Sequence, residues 1–180
     1  RKITNVTIPN KVKTIGKRAF GLCKNLKIIT FLCDKMIPAD SINTQLNEMS
    51  FDDGTQTGGD NMFAHITINV RKELFDNYNN EPFYKRFQGG IQQSFTVEDE
   101  EYIAMSEQSV NMLSTKRKDH TFVIPTSITH NSKNYSVNLI GDYAFQKVTA
   151  DVKEVVVKKD VEYIGAQAFV TKKEANGELK

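Results

Sequence analysis

Apolar positions near the start of the chain fall at Ile3, Val6, Ile8, Val12 and Ile15, with polar residues filling most of the gaps. The opening triplet returns as Leu26, Ile29 and Phe31, each 23 residues further on. Near the other end the series runs Val152, Val155, Val157, Val161 and Ile164 at the same internal spacing. The apolar-x-x-apolar-x-apolar segment predicts a short strand whose alternate residues, Val6 and Ile8 or Val155 and Val157, turn to one side. After it comes a hexamer, Ile-Gly-x-x-Ala-Phe, at residues 15–20, 140–145 and 164–169. The second and third hexamers are 24 residues apart. Agreement of strand, hexamer and step predicts stacked copies of one small unit.

The unit can be read physically. Its glycine (Gly16, Gly141 or Gly165) lets the backbone turn tightly or pack where a side chain would clash. The Ala-Phe pair is expected on a short helical or 3₁₀ turn, Phe filling the core and Ala small enough for coils to stack. A single coil cannot bury its own apolar side, so each is stable only against its neighbours.

The strand pattern is the leucine-rich-repeat skeleton with β-branched residues in place of leucine. Joined to Ile8-Pro9-Asn10, the first hexamer and Cys23-x-x-Leu26, it resembles the BspA-type leucine-rich repeat, and Ile124-Pro125-Thr126-Ser127-Ile128 matches its start again. Two positions depart: Val148 and Lys172 stand where the first copy has Cys23. The resemblance implies an α/β, strand-rich fold, a solenoid of parallel short strands with one per 23–24-residue coil, and irregular capping segments. Residues 33–38 and 66–87, with Cys33–Pro38, Ile66–Val70, Leu74–Tyr78 and the aromatics Phe83, Tyr84 and Phe87, resemble the strand, short helix and aromatic seal that close a repeat block. Residues 1–93 are thus expected to be the end of one block with its cap, and 94–180 the start of a second, or both one continuous solenoid. Between Ile124 and Ile140 the copy is nine residues too long, and His130-Asn131-Ser132-Lys133-Asn134-Tyr135 supplies turn formers, so a protruding β-hairpin is expected. Residues 39–62 are the least assignable stretch.

Composition adds restrictions rather than chemistry. With 24 basic and 22 acidic residues the net charge is +2, too small to argue for nucleic-acid binding. No apolar run approaches the ~20 residues of a membrane span. The chain opens in mid-repeat at Arg1-Lys2 and reads as a fragment or processed product. Cys23 and Cys33 read as small apolar core residues; a disulfide between adjacent coils is the other possibility, and its distance is a structural question. His65, His120 and His130 are scattered, and neither H-E-x-x-H nor G-x-S-x-G is present, so no catalytic residue, cofactor or metal is expected. Asp52-Asp53-Gly54 and Gly58-Gly59-Asp60-Asn61 fit no EF-hand spacing and read as a solvated loop. The runs Glu98–Glu101 and Lys116–Lys118 read as solvated strand ends with mutual attraction.

Function is therefore sought on a repeated surface. The residues between inward strand positions are Asn5 and Thr7, Ile28 and Thr30, and Glu154 and Val156, which form the candidate partner strip. Tyr135 on the expected hairpin is a second candidate, since loops on rigid scaffolds often carry contacts. The resemblance implies a non-catalytic cell-surface or secreted binding protein of a host-associated bacterium (or a protist). Adhesion or protein–protein interaction with a protein ligand, such as host matrix or another cell surface, is the expected role. A spacer projecting another module, or an accessory domain of a glycan-active enzyme, are the alternatives.

Overall fold

The structure, a computed structural model, describes residues 3–16, 19–21, 23–39, 65–148 and 152–171. The aspartate- and glycine-rich loop, most of the stretch 39–62 and the Lys172 departure lie outside them. The chain divides into two compact units, 1–93 and 94–180.

Among the described residues, the first unit carries a sheet of four parallel strands in chain order: β1 (Asn5–Ile8), β2 (Ile28–Phe31), β3 (Thr67–Val70) and β4 (Ile91–Gln93). Its register aligns Val6, Ile29, Ile68 and Ile91, and beside them Ile8, Phe31, Val70 and Gln93. Between β1 and β2 the chain closes through short turns in which Val12, Ala19, Cys23 and Leu26 donate N–H groups to carbonyls three residues back. These turns swing Ile15 and Leu26 into the core with Ile8, Ile29 and Phe31.

Helix α1 (Phe75–Asn80), between 3₁₀ turns at Lys72–Leu74 and Tyr84–Arg86, lays aromatic rings over that core. Tyr78 lies 5.3 Å from Phe31 and 4.6 Å from Tyr84, centroid to centroid. Both hydroxyls are used: Tyr84 donates to the Ile37 carbonyl at 2.7 Å, and the Ile37 N–H donates to the Tyr78 oxygen at 3.3 Å. Cys23 and Cys33 are free thiols. Cys33 is buried, its thiol donating to the carbonyls of Pro9 at 3.4 Å and Val12 at 3.6 Å, and burial pushes its pKa up.

The second unit carries β5 (Phe95–Val97), β6 (Glu100–Ala104), β7 (Ser109–Thr115), β8 (Thr121–Val123), β9 (Ser127–His130), β10 (Lys133–Ile140), β11 (Glu154–Val156) and β12 (Tyr163–Ile164). Strands β7, β10 and β12 run parallel, and β8 pairs with β11 in a separate parallel ladder. Strands β5, β6 and β7, however, form an antiparallel meander. This corrects the expectation of parallel strands alone and the α/β label: the described residues are strand-rich and mostly β, with little helix, and their sheets are partly mixed. The physical cause is the linker length. Only Glu98 and Asp99 join β5 to β6, with Glu98 left-handed at φ 53°, and a two-residue link can only reverse direction.

The meander also corrects the reading of the charge runs. It sets Glu100 opposite Thr115, beside the basic run. The Glu100 and Glu101 residues are 2% and 6% exposed. Arg117 Nε donates to Glu100 at 2.8 Å, and its other nitrogens reach Glu98 and Asp119. The bond to Glu100, more than any other cause, raises the Arg117 pKa and keeps it charged. Glu101 accepts from Ser94 at 2.6 Å and Ser114 at 3.3 Å, with Lys147 3.8 Å away. These carboxylates are structural anchors.

The nine-residue excess is a hairpin. Strands β9 and β10 pair antiparallel, and Asn131 and Ser132 at their turn have φ of 49° and 62°, the two successive positive values of a type I′ turn.

Candidate interaction surface

How the hexamer builds a coil decides which side chains reach the surface. In the copies at 140–145 and 164–169, alanine and the first phenylalanine go inward: Ala144, Phe145 and Ala168 are at most 3% exposed. The ring of Phe145 lies 5.5 Å from Phe122 and 5.3 Å from Phe169, so one coil's phenylalanine packs on the next. The left-handed position is the residue before alanine, Tyr143 at φ 56° and Gln167 at φ 52°. The glycine serves close approach instead. A Cβ on Gly165 would stand 2.4 Å from the Asp142 nitrogen, and one on Gly141 would stand 3.1 Å from the Met112 carbonyl.

A second hydrogen-bond ladder runs along these turns. Tyr143 N–H donates to Ala166, Phe145 N–H to Ala168, and Asp142 accepts the Ala166 N–H at 2.7 Å. The strands β8 and β11 are thereby held on a backbone fixed at both sides of the coil.

The expected strip divides between two sheets. On β1, Asn5 and Thr7 are exposed. On β2, Ile28 and Thr30 are 8% and 0% exposed, so both faces of that strand are buried and these two are not surface residues. Alternation alone says which residues share a face, not whether that face is covered. On β11, Glu154 is exposed and Val156 half-buried.

Their neighbours are residues the sequence reading missed. Register places Thr121 beside Glu154 and Val123 beside Val156, while Phe122 faces the core. Thr121 Oγ1 donates to Glu154 at 3.2 Å, and Val123 is 46% exposed. The signal was there in Phe122-Val123-Ile124, but the hairpin insertion hid its register with the following coil.

Tyr135 is half-buried in an aromatic cluster. Its ring lies 5.9 Å from Phe95, which stacks on His130 at 3.9 Å and lies 6.3 Å from Tyr102, and Lys133 Nζ sits 5.3 Å over Tyr135. The tyrosine thus belongs to the packing of its own hairpin. Among the described residues there is no group of three or more His, Cys, Asp or Glu that could hold a metal ion. No helix there is long and apolar enough to cross a membrane.

Repeated short parallel strands, coil-to-coil glycine contacts and stacked phenylalanines define a repeat protein of the leucine-rich class. The family model of the BspA type leucine rich repeat region matches residues 1–69 and 101–176, in 6 copies, and the chain belongs to that family. Among solved structures, the chain is similar to a leucine rich cell surface protein from Faecalibacterium prausnitzii A2-165, with 25% identity and a TM-score of 0.41. That alignment covers 43% of this chain and 20% of the other, so it spans about a fifth of that protein. No curated protein sequence matches it.

Proposed function

We propose that the chain is a non-catalytic binding module of a cell-surface or secreted protein, and that it engages a protein ligand through the outward face of β8 and β11. The observation that carries this reading is the pair Val123 and Val156, side by side in register, with Val123 46% exposed. Thr121 and Glu154 border the pair on the same face. An apolar centre with polar neighbours on a strand pair whose other side is packed is suited to docking a partner's apolar side chain. Asn5 and Thr7 on β1 offer a more polar surface of the same origin.

Adhesion to host matrix or to another cell is the particular role proposed. The test is binding of the purified chain to immobilised extracellular-matrix proteins, repeated with Val123→Glu, Val156→Glu and Thr7→Glu. Loss of at least about tenfold in affinity for either valine variant, equivalent to ~1.4 kcal/mol, is expected. Binding unaltered by all three variants would place the ligand elsewhere. Silence across a broad panel would favour the spacer reading, which the burial of Ile28 and Thr30 makes the second choice by shrinking the first unit's open strip.

A further inference from the structure

The ladder of β8 and β11 is narrower than the sheet formed by the same coils. There β10 continues toward earlier residues through β7 to β6 and β5. Beside β8, on the corresponding side, no strand pairs among the described residues. The preceding segment is spent on the meander: β7 ends at Thr115, and residues 116–120 lead directly into β8. All of residues 65–148 are described, so this open edge lies in the interior of the chain.

The direction of the backbone groups follows from the bonds β8 makes to β11. The Ile124 N–H donates to the Val156 carbonyl, and the His120 carbonyl accepts from Lys153 and Glu154. Backbone groups alternate in direction along a strand. Residues 120, 122 and 124 therefore face β11, and the N–H and C=O groups of Thr121 and Val123 point to the open side. Both residues are exposed. Natural edges are blunted by proline, lysine or a bulge. Thr121-Phe122-Val123 has none of these, and its register with β11 is unbroken. Its shortness, 3 residues, is its protection.

We infer that two copies of this chain pair through the open edges of β8, antiparallel about a two-fold axis at Phe122. The edge is its own complement. With the axis there, Thr121 lies opposite the partner's Val123, and each N–H donates to the other residue's carbonyl. Symmetry repeats both bonds on the far side of Phe122, the narrow hydrogen-bonded pairing of an antiparallel ladder. No like charges meet: His120 lies opposite the partner's Ile124, and Asp119 opposite the partner's Pro125. That proline has no N–H, so the ladder ends with it. The result continues the β8–β11 ladder as one sheet in the order β11, β8, β8, β11. Val123 and Val156 of both copies then share a single outward face. Because the contact uses the same surface twice, it closes at the dimer.

Sedimentation equilibrium of the 180-residue chain from about 10 μM to about 1 mM, a span suited to weak dissociation constants, tests this. Average mass is expected to rise toward about twice that of the single chain and to stop there. Val123→Pro removes an edge N–H and sets a ring in the partner's place, so the dimer should weaken at least about tenfold. Val123→Thr keeps that N–H and should still pair. Melting of the dilute chains checks that both variants fold. Two double variants stand beside them should Val123→Pro unfold. Thr121→Glu with Val123→Glu, and Thr121→Lys with Val123→Lys, each set like charges opposite one another. Each should remain single alone, and the two should pair when mixed. A chain that stays monomeric to the top of the range, its edge left to a strand of some other protein, overturns the inference. So does a dimer indifferent to Val123→Pro, double variants that fail to complement, or growth beyond the dimer. No ligand enters these measurements, so their outcome is separate from that of the binding proposed for the outward face.

Discussion

At the residue scale, the hexamer glycines separate two roles that share one letter in the sequence. Gly165 lies against the Gly141–Asp142 backbone, and an added Cβ would fall 2.4 Å from the Asp142 nitrogen and 2.6 Å from the Gly141 carbonyl carbon. Backbone atoms cannot swing aside as a side-chain tip can, so the coils must part. Gly165→Ala is expected to cost about 1–3 kcal/mol as overpacking, read as a drop of several degrees in melting temperature. Gly16→Ala, with open space beyond, should leave the melting of the dilute chain level or slightly raised by the loss of unfolded-state freedom. Equal effects at the two positions would show that the glycines act through backbone conformation and not through contact.

At the element scale, the aromatic layer over the first sheet depends on two hydroxyls gripping one residue, Ile37. Tyr84→Phe leaves the buried Ile37 carbonyl without its 2.7 Å donor. It should cost about 1–3 kcal/mol, the desolvation penalty of an unpaired buried acceptor. Tyr102→Phe is the internal control. The Tyr102 hydroxyl is buried with no hydrogen-bond partner among the described residues, so its removal should be neutral or stabilising. Urea unfolding of both variants distinguishes them, and a Tyr84→Phe chain as stable as the parent would refute the grip. The aromatic layer was legible in the sequence because Tyr78, Phe83, Tyr84 and Phe87 cluster around a short helical stretch. The hairpin at 127–140 was legible through its excess length and its Asn-Ser turn. The meander at 95–115 was not. Its alternation is that of any strand, and direction is set by a two-residue link whose left-handed glutamate carries no obvious turn signature.

At the scale of the whole molecule, burial of phenols makes stability depend on alkaline pH. Tyr78, Tyr84 and Tyr102 all have pKa values raised well above the ordinary 10.0, desolvation being the largest cause in each. The folded units therefore keep these protons above pH 10, while the unfolded chain releases them. The unfolded state then binds fewer protons, and unfolding free energy falls as pH rises, by up to about 1.4 kcal/mol per pH unit for each tyrosine. Below about pH 10 this contribution is fully present. The first unit holds Tyr78 and Tyr84 and should weaken twice as steeply as the second, which holds Tyr102. Denaturant unfolding at pH 9, 10 and 11, followed with tyrosinate absorbance, would show it. Constant stability across that range would mean the phenols ionise in place.

The sequence by itself determined the repeat: its step, its strand alternation, its packing phenylalanines and the family those features define. Such features are local and periodic, so each copy reports the same constraint on a coil that must bury one side against its neighbours. Tertiary structure alone decided which outward residues remain outward. Ile28 and Thr30 share the pattern of Asn5 and Thr7, yet they are buried and the others exposed. It also paired Val123 with Val156 across 33 residues and drew Glu100 and Glu101 inward. Coverage and pairing between distant segments are sums over many weak contacts that no single stretch of sequence encodes.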